Sequence, residues 1–162
     1  MRRAKSKRDY RGSAIAEFAP AITVLLLVVF LPLLDLMPIL VGYAGCWYLN
    51  SQQSDLAAQS LLARGNAFTN QGDVQTQLDT LASDWKNSAL GNLAKLQDAT
   101  TTITGPVNSS VSGGYLTCYV QVTTQVKCAP FVQLSFVGPV PGIGAPINVS
   151  ISSQRVVEDA TQ

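Results

Sequence analysis

Polar and apolar positions divide the chain into three stretches with different periods. From Ala14 to Leu34 there are twenty-one residues whose only charge is Glu17. About twenty apolar residues are needed to cross the hydrocarbon of a bilayer, so this run predicts a membrane-spanning helix. Its helical pattern is expected to continue past Asp35, placed at the hydrated outer interface, to Trp47 and Tyr48 as an interfacial aromatic belt. Next comes a polar helical stretch, with Ser54 expected to cap a helix through Leu56, Leu61 and Leu62, and a break at Asn66–Gly72. Asp73 is expected to cap a second helix, in which Val74, Leu78, Leu81 and Trp85 recur at i, i+4, i+7 and i+11 as one apolar stripe. Leu90, Leu93 and Leu96 extend it loosely, with Gly91 a weak point. The stripe is read as core-facing.

From Ala99 the period changes. Thr, Val, Gly and Pro dominate, which favours strands and turns. Expected strands are Thr100–Thr104, Tyr115–Lys127, Phe131–Val137 and Ile147–Val156, with a turn at Ser112-Gly113-Gly114. The fold class is therefore α+β: a long N-terminal transmembrane helix extends into a small outer domain, where an amphipathic helix packs on an antiparallel sheet. The expected boundaries are a basic leader at 1–12, the membrane helix at 13–49, a helical extension at 50–98 and a β-rich domain at 99–162.

Composition sharpens this picture. The 162 residues are 47% hydrophobic and only 13% charged, about half the usual share for a soluble domain. The net charge of +1 hides an asymmetry. Six of the eleven basic residues (Arg2, Arg3, Lys5, Lys7, Arg8 and Arg11) precede Ser13, and the remainder carries a net −4. Positive charge confined to a tail argues against a nucleic-acid partner and sets membrane orientation, amino terminus inside. Pro20 and Pro32 each remove a helical hydrogen bond and predict kinks. A secretory signal is the rival reading, but its apolar core would be shorter. Ala44-Gly45-Cys46 resembles a lipoprotein signal's end, yet lies too far from the basic region.

Candidate chemistry is sparse. There is no histidine, and no Gly-x-Ser-x-Gly, P-loop, Gly-x-Gly-x-x-Gly or Cys-x-x-Cys motif. No enzyme, cofactor or metal site is expected. Cys118 and Cys128, separated by nine residues on the predicted outer side, are expected to form a disulfide; an intermolecular bond or two free thiols are the alternatives. Cys46 is read as a packing residue.

Gly12-Ser13-Ala14-Ile15-Ala16-Glu17-Phe18, behind a basic leader and ahead of an apolar helix, resembles the processing site of type IV pilin-like proteins. In particular it is similar to TadE/TadF-like minor pseudopilins of the tight-adherence (Tad, or Flp) pilus. That resemblance implies cleavage by a membrane prepilin peptidase between Gly12 and Ser13, with Glu17 and Phe18 at mature positions five and six. Glu17 would face a newly freed ammonium, its own or a neighbour's, and set subunit register. The implied partners are inner-membrane lipid, the prepilin peptidase, the major pilin and other pseudopilins, and the assembly platform. The implied location is the bacterial inner membrane, amino terminus cytoplasmic and outer domain periplasmic or extracellular. The Pro/Gly-rich Phe136–Gly142 and the segment Asp55–Arg64 also look familiar for this family. With a bacterial source, the sequons at Asn108 and Asn148 are accidental. The alternative is a single-pass anchor carrying a binding or structural domain unrelated to pili.

Overall fold

The structure is a computed structural model, and it describes residues 9–64, 67–112, 115–131, 138, 140–142, 144–157 and 159–161. Helix α1 spans Asp9–Leu25 and α2 spans Leu31–Ser60, joined by one wide π turn at Leu26–Phe30. The strands are β1 (Leu62–Arg64), β2 (Ala67–Phe68), β3 (Leu96–Ser112), β4 (Tyr115–Cys128), β5 (Ile147–Val156) and β6 (Asp159–Thr161). Helices α3 (Gln71–Lys86) and α4 (Ala89–Leu93) lie between β2 and β3. The fold is α+β, with a long apolar N-terminal helix and an antiparallel three-stranded sheet ordered β3-β4-β5. A smaller sheet, β2-β1-β6, joins the end of α2 to the end of the chain through a parallel β1–β6 pair.

The α1–α2 helix survives three prolines, Pro20, Pro32 and Pro38. Proline frees the carbonyl four residues before it. The π turn at Leu26–Phe30 sits just ahead of Pro32, where widening by one residue takes up the lost bond.

Alternation in β4 builds the main core. Cys118, Val120, Val122, Thr124, Val126 and Cys128 are all buried, while Gln125 and Lys127 are exposed. Val122 is paired with Ile103 on β3 and Ser153 on β5, so β4 is the central strand. The buried face packs against α2, whose inward positions include Gly42, Cys46, Leu49, Asn50, Gln53, Ser54, Ala57 and Ala58, with Leu61 just past its end. These recur at spacings of three and four, one face of a helix. Leu49 and Leu61 are almost wholly covered, each contributing roughly 1.5–3 kcal/mol by leaving water. Helix α3 adds Val74, Leu78 and Ala82 to the interior.

Four expectations need correction. Ser54 caps nothing: it is buried in mid-helix and its hydroxyl donates to Ser51 O at 2.9 Å. Asp73 lies in the first turn of α3 rather than at its cap; the cap position is Asn70, whose side chain instead accepts from Leu62 N and donates to Ser60 O. Asp35 is buried, only 2% exposed, where a hydrated interface residue was expected. Leu90 and Leu93 do not extend the α3 stripe: α3 ends at Lys86, both leucines are exposed on the separate α4, and Gly91 there makes a close approach, since a Cβ would overlap the carbonyl oxygens of Trp85 and Lys86. The expected strand Phe131–Val137 lies, beyond Phe131, outside the described residues.

Candidate functional site

The α1–α2 helix has two regimes. From Glu17 to Phe30 every residue is exposed, including Phe18 (64%), Val28 (66%) and Phe30 (51%). Among the described residues this is the one helix long and apolar enough to cross a membrane, counted from Glu17 to Ser60. From Asp35 onward one face turns inward against the sheet, while Leu36, Leu40, Tyr43 and Trp47 remain outside as a stripe at i, i+4, i+7 and i+11. One rod therefore serves as both the apolar protrusion and the central support of the folded domain.

The inward face is unusually polar. Asn50 Nδ2 lies 3.0 Å from Val122 O, 3.0 Å from Thr124 Oγ1 and 3.1 Å from Ile151 O. Gln53 Nε2 donates to Leu78 O at 2.9 Å, and its Oε1 accepts from Thr124 Oγ1 at 2.7 Å. Thr101 Oγ1 sits within 3.0 Å of both ends of the same amide. Asn50, Gln53, Thr101 and Thr124 are all buried, so each bond replaces one to water and an unmatched group would be costly. The network ties α2 to α3 and all three strands of the main sheet, and it fixes the helix in rotation and height. Sequence reasoning missed it, because polar side chains such as Asn50 and Gln53 carry no hydrophobic signal and Ser54 was expected as a helix cap; their i, i+3, i+4 spacing with Cys46, Leu49 and Ala57 was the available signal.

Two glycines let the helix approach closely. A Cβ on Gly42 would overlap Cys128 Sγ, and one on Gly45 would overlap the Trp85 ring. Cys46, Val126 and Cys128 form a small buried cluster there, with Cys46 Sγ 3.7 Å from Thr124 O. Burial pushes the Cys128 thiol above its ordinary value of 9.0.

Of the anticipated site residues, Gly12, Ser13, Glu17 and Phe18 all lie on α1, which runs unbroken across the Gly12–Ser13 junction; most of the basic leader, residues 1–8, lies outside the described residues. The Cys118–Cys128 disulfide is not formed: all three cysteines are free and buried. Both residues belong to the continuous strand β4, which holds them about 33 Å apart at 3.3 Å per residue. A disulfide needs Cα atoms within about 7 Å. Among the described residues no three His, Cys, Asp or Glu side chains gather as a metal site. The outer salt bridge, Arg155 Nε to Asp55 Oδ1 at 2.8 Å, is about half exposed on both sides and contributes at most about 1 kcal/mol. Compared with known proteins, the chain matches no family model, no curated protein and no solved structure.

Proposed function

We propose that the protein is a minor pseudopilin of a Tad/Flp-type adhesive pilus, trimmed by a prepilin peptidase between Gly12 and Ser13. The observation that carries this reading is the Gly12–Phe18 junction heading a helix that is apolar and uncovered at one end and built into a domain core at the other. Such a rod suits a subunit that waits in the inner membrane and then moves, helix first, among other apolar helices. Glu17 and the amine of Ser13 would set register, and the stripe Leu36–Leu40–Tyr43–Trp47 would meet neighbouring subunits from the headgroup layer outward. The role is structural rather than catalytic. An amphipathic α3 packed on the sheet would stiffen the outer domain that the fibre displays.

The test is maturation. Expressed with a matching peptidase, the wild-type chain is expected to begin at Ser13, as read by intact mass and N-terminal sequencing, and a Gly12→Val chain is expected to keep its leader. An intact Met1 on the wild-type chain overturns the proposal and leaves a single-pass anchor.

A further inference from the structure

The outer domain presents an apolar foot at the level where the helix would leave the bilayer. Twenty-one residues from Ala14 to Leu34 rise about 31 Å, the thickness of the hydrocarbon. The headgroup layer beyond it is about 5–8 Å deep on each side, which places Met37 and Pro38, about 5 Å past Leu34, within that layer. At that height α4 and the segment after β4 close on the helix. Leu34, Met37, Pro38, Leu93 and Phe131 line an open cavity of about 250 Å³ with almost wholly apolar walls. Met37, Leu93 and Phe131 are each 45–55% exposed around it, and Lys95 Nζ lies 5.0 Å from the centre of the Phe131 ring.

An apolar rim this concentrated calls for a cover. Three features select the cover. The rim is continuous with the apolar surface of the membrane helix. Its height matches the zone where acyl chains give way to headgroups. A lysine stands beside the rim, complementary to lipid phosphate. We infer that the foot formed by Met37, Leu93 and Phe131 is a phospholipid-docking surface, which seats the outer domain on the leaflet beside its own helix. The cavity takes the upper part of an acyl chain and Lys95 meets the phosphate. This rests on the membrane-crossing part of the proposed function.

The test uses the full chain in phosphatidylcholine/phosphatidylglycerol vesicles whose acyl chains carry bromine, a contact quencher of indole. In a Trp47→Phe, Trp85→Phe background, single reporters are placed at Phe131→Trp, Leu93→Trp, Val24→Trp and Gln154→Trp. The two foot reporters are expected to be quenched at least half as strongly as Val24→Trp, and Gln154→Trp, on exposed β5, to stay bright. Two independent foot positions guard against a misfolded variant, and a shared thermal transition verifies each. Strong quenching at Val24 with none at Phe131 and Leu93 overturns the docking surface alone, as does equal quenching at Gln154. An unquenched Val24 overturns the membrane reading and the docking surface with it.

Discussion

At the scale of single residues, the fold depends on amides and hydroxyls where a helix–sheet interface ordinarily carries only apolar side chains. Asn50→Ala leaves Val122 O, Ile151 O and Thr124 Oγ1 buried without their shared donor. The expected loss is about 1–3 kcal/mol in chemical denaturation of the detergent-solubilised protein. Gln53→Ala is expected to cost a similar amount. Because Thr124 Oγ1 contacts both amides, the double variant should lose less than the sum of the two, a coupling that a double-mutant cycle reads directly. The thiols give a second prediction at this scale. Unfolded without reductant, the chain should take up three alkyl groups by mass, since Cys46, Cys118 and Cys128 are free. Cys128 holds its proton more tightly in the folded state than in the unfolded one. Its contribution to stability is therefore complete below pH 9.0 and is lost as pH rises past it, because the unfolded chain releases the proton first. A Cys128→Ala variant should lack this part of the alkaline slope in pH-dependent denaturation.

At the scale of elements, legibility in the sequence followed the side chains. Of the expected stripe only Val74 and Leu78, apolar and at the helix period, are buried; Leu81 and Trp85 are half-buried, and Leu90 and Leu93 face outward. Strand β4 was readable within a residue, since Val120, Val122 and Val126 alternate with polar neighbours. The buried face of α2 was not, because around Cys46 and Leu49 it is filled by small and polar residues, Gly42, Asn50, Gln53, Ser54, Ala57 and Ala58, that carry little hydrophobic signal. The cysteine pairing failed for a related reason: a bridge over nine residues presupposes a turn between them, and Cys118 to Cys128 is one uninterrupted strand. The close helix–sheet approach gives the prediction proper to this scale. Gly42→Ala places a methyl on Cys128 Sγ, and overpacking of this kind costs about 1–3 kcal/mol. Adding Cys128→Ala removes the obstructing sulfur, so the double variant should recover most of the lost thermal stability. Gly45→Ala meets the Trp85 ring and should not be relieved by Cys128→Ala.

At the scale of the whole molecule, the helix couples two ends that would otherwise be independent. The exposed residues Glu17 and Phe18 and the buried amides Asn50 and Gln53 sit on one rod, so the azimuth of the first pair relative to the domain is fixed by the number of residues between them. One alanine inserted after Val24 turns Glu17 by about 100° against the domain and lifts the domain about 1.5 Å. Four alanines turn it by about 400°, leaving a residual of about 40° and a lift of about 6 Å. The insertion site is exposed on all sides, so the thermal transition of the outer domain should not move with either insertion. If Glu17 registers the subunit against its neighbours, the single insertion should abolish fibre yield, measured as sheared surface pilus in the source organism, and the fourfold insertion should restore part of it. If the helix is only a tether, azimuth has no meaning, and both insertions should behave as wild type. The comparison separates the two readings without altering any residue of the native chain, because it changes only the angle at which an intact apolar end meets an intact domain.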